Sequence, residues 1–232
     1  MVVHPVFLVH VGRIEYLRHQ QVARVFLVRP VARSGRAGRA INVLAGLVAG
    51  RPGRVGLVLF AFALRTWRLG AANVWWDEGL AIWAVRKPIV DATLWTAADV
   101  HPPLYFWLLW VWVRLAGQTE FAARFLTVLL GVVAVALAYA LGRRLGGRRA
   151  GLLALAIVAC ARFEVWWSME MRMYMLAGVC VLGATLAAVG WLPSLSAGPD
   201  VPAGSRRRCL VAYVVAATAA LYTVYWSAAA LA

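Results

Sequence analysis

The chain has 232 residues, 63% of them hydrophobic, and its 24 basic against nine acidic residues give a net charge of +15. Soluble domains are nearer half apolar, and the apolar runs here are continuous rather than alternating, which excludes a membrane β-barrel. What remains is an all-α polytopic membrane protein, with several stretches approaching the roughly 20 apolar residues a spanning helix needs. Lys87 is the only lysine, and the arginines cluster between apolar segments. That is the distribution of cytoplasmic loops under the positive-inside rule, so nucleic acid is not an expected partner.

In chain order, residues 1–54 form a basic segment with nine arginines and the single acid Glu15. Its weak periodicity fits a poorly ordered tail or a segment on the anionic cytoplasmic leaflet. Val2–Val11 is apolar, but charge follows it instead of preceding it, so it does not read as a signal peptide. The remainder, 55–232, is expected to be a transmembrane domain. Its first spanning candidate runs from about Ala40 to Leu69, best between Val55 and Leu64, with Arg65 and Arg68 at the outer end. Such arginines snorkel to headgroups or turn into the protein. The loop 71–101 holds two short pieces, Glu78–Val85 and Val90–Ala98, that read as interfacial helices. Pro102–Gly117 is too short to cross fully and reads as re-entrant or steeply tilted. Ala122–Leu141 is a full span, Gly142–Arg149 a basic cytoplasmic turn, and Ala150–Trp167 and Met171–Leu192 further spans. Pro193–Arg208 is a loop ending in three arginines, and Cys209 to the end is a last span. Cys160, Cys180 and Cys209 lie in or beside apolar segments and lack metal-ligand spacing, so they read as packing residues.

With both arginine-rich turns inside, three polar clusters fall on the outer side: Asp77-Glu78, Asp99-Val100-His101, and Ser168 to Tyr174 with Glu170 and Arg172. Acids are scarce and ionisable groups at a membrane are costly unless solvated, paired or used. A carboxylate can take a proton from an acceptor hydroxyl, and a cation can hold a phosphate leaving group. Each cluster also has a plainer reading. Asp77 and Glu78 suit the first turn of a helix, His101 before two prolines suits a loop, and Glu170 with Arg172 suits an ion pair. The tryptophans suit interfacial anchors.

The segments WWDEG (75–79), DVHPPLYFW (99–107) and SMEMRMY (168–174) occur in order, with LAGQTEFAARF (115–125) and GRRLGGRRAG (142–151) between them. In these the chain, over about 55–230, resembles the multi-pass glycosyltransferases of the GT-C fold. The branch is the one that includes dolichyl-phosphate-mannose protein mannosyltransferases and the aminoarabinose transferase of lipid A. The resemblance implies a GT-C-like transmembrane bundle in a prokaryotic-type plasma membrane, with its site on the outer face. It implies inverting transfer of a sugar from a polyprenyl-phosphate donor to a protein, lipid or glycan acceptor. By resemblance Asp77 is the acceptor-side acid or general base, accompanied by Glu78, and Glu170 is a second site acid. His101 sits beside the donor phosphate, Arg172 partners phosphate or Glu170, and Asp99 and Tyr174 join them as donor-phosphate or substrate-binding residues. Some members hold a divalent metal, for which Glu78, Glu170 and His101 are the candidate ligands. Relatives often carry Y-T-H-Y where this chain has Tyr222-Thr223-Val224-Tyr225, which removes one candidate histidine. The chain also stops within apolar sequence where relatives continue, so a truncated, inactive or merely structural subunit is an alternative expectation. A transporter or flippase of a lipid-linked substrate is another; it would carry its ionisable groups near the bilayer midplane.

Overall fold

The computed structural model describes residues 50–99, 101–192 and 203–231, and these are helical with no strand among them. Residues 1–49 of the tail expected over 1–54, and 193–202 of the loop expected over Pro193–Arg208, lie outside the described residues. All described residues belong to one unit, Gly46–Ala232.

Helix α1, Arg51–Thr66, starts with proline in its first turn and without a side-chain cap; proline suits that position because its missing N–H would be unpaired anyway. It buries Ala61 and Arg65 and leaves Val55, Leu59 and Phe60 more than half exposed. Exposed apolar residues on an apolar helix are what a lipid-facing surface requires. The two short helices expected in the first loop are present, as α2 (Trp76–Arg86) and α3 (Ile89–Ala97). Pro88 separates them, and Lys87 before it is extended, as a residue preceding proline is biased to be. Helix α4, Leu104–Ala116, follows the Pro102-Pro103 pair. At ~1.5 Å per residue it is about 20 Å long, shorter than the ~30 Å hydrocarbon layer.

Helix α5 spans Glu120–Cys160 and opens with Thr119 accepting from the Ala122 N–H at 3.2 Å. It is not one rod. Gly146 and Gly147 leave helical geometry, Gly147 at φ 76°, a value open to glycine for want of a Cβ. The chain folds back there into an antiparallel hairpin, placing Val135 in one apolar cluster with Leu155, Ala159 and Ala61 of α1. Two glycines let the limbs touch. A Cβ on Gly142 would lie 2.9 Å from the Ala150 carbonyl oxygen, and one on Gly151 would lie 2.8 Å from that of Tyr139.

Four expected boundaries shift. The basic turn shrinks from Gly142–Arg149 to the two glycines, because the arginines on either side are good helix formers. The span expected at Ala150–Trp167 stops at Cys160, and Arg162–Ser168 is a separate helix, α6. The cause is Arg65, whose guanidinium takes the Val158 and Ala159 carbonyls at 2.9 and 3.0 Å; these are end-of-helix groups that otherwise lack partners. At the far end, α8 begins at Ala203, so Arg206–Arg208 are helical instead of in a loop. The helix expected as a last span, α8, ends at Leu221, and a turn and the short helix α9, Ser227–Leu231, follow.

Between α6 and α8 runs α7, Tyr174–Trp191. It lies antiparallel to α8: Gly190 meets Cys209, and Gly183 meets Ala216. The helices α5 and α7 are long and apolar enough to cross a membrane. The main apolar core joins Ala84 and Val85 of α2, Phe106 and Leu109 of α4, Leu126 of α5 and Leu176 of α7.

Candidate functional site

The chain from Trp75 to Glu78 meets the turn between α6 and α7, more than ninety residues away. Trp75 caps α2, so Asp77 and Glu78 occupy its first turn, where the helix dipole favours acids. Their two carboxylates diverge in environment.

Glu78 is fully buried and bidentate to Arg124 of α5, with contacts of 2.6 and 2.9 Å. It also accepts the Met171 N–H at 3.0 Å. Arg124 in turn donates to the Leu69, Ala72 and Asn73 carbonyls at 2.8–3.3 Å. The pair therefore pins the loop before α2 to α5 and to the 169–173 turn. Both Glu78 oxygens are occupied, which gives it the geometry of a positioning residue and not of a base.

Asp77 is about one-third exposed and faces Arg172 at 3.6 Å. Arg172 is itself almost wholly buried; its Nε, like the Tyr105 hydroxyl of α4, has no hydrogen-bond partner among the described residues. Buried polar atoms are nearly always satisfied, so these two orphaned donors, one of them on the arginine that faces Asp77, are open to a further partner. Arg172 thus pairs with Asp77 rather than with Glu170. Tyr174 lies under the Arg172 guanidinium at 5.8 Å and against Trp167 at 4.2 Å.

Glu170 accepts the Trp75 indole N–H at 2.8 Å. Burial, and then the charge of Glu78, raise its carboxyl above the ordinary value; the Trp75 bond, Arg124 and Trp166 pull the other way without cancelling this. Glu170, Glu78 and Arg124 line a cavity of about 420 Å³ with Trp166, Trp167 and Arg68. Arg68 holds a left-handed backbone, φ 57°, a strained setting for a residue with a Cβ. Trp75 also walls a second, apolar groove of about 530 Å³ with Trp76, Trp83 and Trp95.

The structure brings Asp77, Glu78, Glu170, Arg172 and Tyr174 into one network. His101 and Asp99 pair with each other, Nδ1 to Oδ2 at 2.9 Å, just before α4. The neighbouring Leu104 N–H donates to the Tyr222 carbonyl at 3.0 Å, so the start of α4 is tied to the residue that follows α8. Glu78, Glu170 and His101 do not converge as metal ligands: no group of three His, Cys, Asp or Glu able to hold a metal occurs among the described residues.

Sequence reasoning did not single out Arg124 or Tyr105. Arg124 was detectable as a lone cation in the first turns of a long apolar helix, a placement that calls for a partner. A tyrosine among tryptophans and leucines carries no such signal.

Residues 100–194 match the family described as dolichyl-phosphate-mannose-protein mannosyltransferase, somewhat less than half of the chain. The matched part holds His101, Tyr105, Arg124, Glu170 and Arg172; Asp77 and Glu78 lie before it. No curated protein and no solved structure matches the chain. The family match and the apolar helices support a membrane glycosyltransferase of the GT-C kind.

Proposed function

We propose that the protein transfers a sugar from a polyprenyl-phosphate donor to an acceptor hydroxyl on the outer face of a prokaryotic-type plasma membrane, with Asp77 as general base. The observation that carries this is the pairing of a solvent-reachable carboxylate, Asp77, with a buried arginine whose Nε is unsatisfied. One arginine can then face the base and still offer a donor to the leaving phosphate.

In this reading Asp77 removes the acceptor's proton as its oxygen attacks the anomeric carbon. The bond from that carbon to the phosphate oxygen breaks, the phosphate departs with the bonding electrons, and configuration inverts. Arg172 and the Tyr105 hydroxyl supply charge and hydrogen bonds to that phosphate, stabilisation that counts most where charge develops. Glu78 and Arg124 hold the α2 start at the right height, since misplacement by about 1 Å can cost ~10²-fold in rate. Lipid-facing surface such as that of α1 suits the polyprenyl chain.

The test is transfer from a synthetic polyprenyl-phosphate sugar by membranes containing the Asp77→Asn variant. Loss of general-base assistance should lower the rate by about 10²–10⁴-fold, with folding unchanged. A wild-type rate sinks the assignment.

A further inference from the structure

A second polar cavity, of about 410 Å³, lies where the start of α1 meets the turn of the α5 hairpin. It is lined by Arg51, Arg54, Tyr139, Arg143 and Arg148. Arg51, Arg54 and Arg143, from two separate segments, share it with Arg148, which has a partner of its own, and among the described lining residues there is no carboxylate. Like charges held together repel, so such a cluster is stable when an anion joins it. Positive-inside bias accounts for arginines at this end of the helices; it does not account for their convergence on one concave site.

The site is also organised. Arg54 donates from Nη1 to the Tyr139 hydroxyl at 2.9 Å and from Nε to the Gly50 carbonyl at 3.3 Å. Its guanidinium stands 5.3 Å from the Tyr139 ring centroid. Arg54 is thus fixed in orientation and not free to sweep the surface. The α1 N-terminus adds the positive end of its dipole, with no side chain capping it. On the same helix, Val55 and Leu59 are exposed and apolar. A phosphate in the cavity would therefore have hydrocarbon surface beside it.

We propose that this cavity binds the phosphate of an anionic phospholipid, on the side of the bundle away from the Asp77 site. Basic pockets between membrane helices take such headgroups, and planar guanidinium groups suit phosphate oxygens. The occupant holds the α1 start to the hairpin turn and so steadies the bundle from the opposite end. This assignment is independent of the transfer reaction.

The test uses the 232-residue chain in nanodiscs of phosphatidylcholine, with and without phosphatidylglycerol, and in detergent with inorganic phosphate. Phosphatidylglycerol should raise the melting temperature and be retained in native mass spectrometry. Arg54→Gln and Arg143→Gln should each weaken retention by roughly fivefold, whereas Arg143→Lys should keep most of it. Arg207→Gln with Arg208→Gln, at the exposed arginines of α8, should leave it unchanged. Equal retention in Arg143→Gln, or an equal loss in the α8 variant, overturns the site. Equal stabilisation by inorganic phosphate overturns its assignment to a lipid. Should Arg54→Gln fail to fold, the Arg143 pair of variants carries the same decision.

Discussion

Removing Arg124 should damage the protein more than removing the charge of its partner Glu78. Arg124 donates to two carboxylate oxygens and to three backbone carbonyls. Arg124→Met therefore leaves a fully buried carboxylate with only the Met171 N–H for company. Glu78→Gln leaves a guanidinium that three carbonyls still solvate. Breaking a buried pair by deleting one partner costs about 3–5 kcal/mol. A unit of this size loses ~2–4 °C of melting temperature per kcal/mol, so Arg124→Met should fall by roughly 6–20 °C, and Glu78→Gln by less. Thermal unfolding in mild detergent, followed by tryptophan fluorescence, reads this directly. The double variant Glu78→Leu/Arg124→Met removes both charges and should recover part of the loss. Shifts near those of an exposed pair, worth at most about 1 kcal/mol, would refute the reasoning, as would a larger loss in Glu78→Gln than in Arg124→Met.

Other outcomes follow from the same geometry. Because the folded state raises the Glu170 carboxyl above its ordinary value of 4.5, folding takes up a proton between those two values. Stability should then fall as pH rises from about 4.5 through the raised value, and Glu170→Gln should flatten that slope in melting curves taken against pH. Gly151→Ala puts a methyl 2.8 Å from the Tyr139 carbonyl and should cost about 1–3 kcal/mol. Gly183→Ala, 3.9 Å from its nearest neighbour, should melt like the wild type. Arg65→Met strips the end carbonyls of α5 and the Ser168 hydroxyl of their donor and should lower the melting temperature by at least as much as Gly151→Ala, by the cost of unsatisfied buried groups.

The helical class, the two short helices of the first loop and the positions of the acids were legible because hydropathy and motif order are local properties. Asp77 and Glu78 could be placed at the start of a helix by the same local signals. What separated their roles was not local. Adjacent acids look equivalent in sequence, and only the approach of Arg124 and of the Met171 N–H commits one and leaves the other reachable. The break at Ala161 escaped notice for a similar reason: Ala150–Trp167 is apolar throughout its first half, and the arginine that claims its carbonyls lies on α1. Likewise α8 packs against α7 where Gly190 admits Cys209, a contact between helices that no local property of the Arg206–Arg208 run shows.

The latch around Glu78 also imposes an order on biosynthesis. Its ion-pair partner is 46 residues downstream and its backbone donor 93 downstream. At ~5–20 residues per second, about 2–9 s pass before Arg124 is made and roughly 5–19 s before Met171 is. Throughout that interval Glu78 is a bare carboxylate, most cheaply kept in water beyond the bilayer. Burial of the α2 start is therefore a late event, gated by emergence of the hairpin and then of the 169–173 turn. A nascent chain stalled within α5 would leave Trp75 through Glu78 in water, so that an unfinished bundle differs from a closed one at this segment.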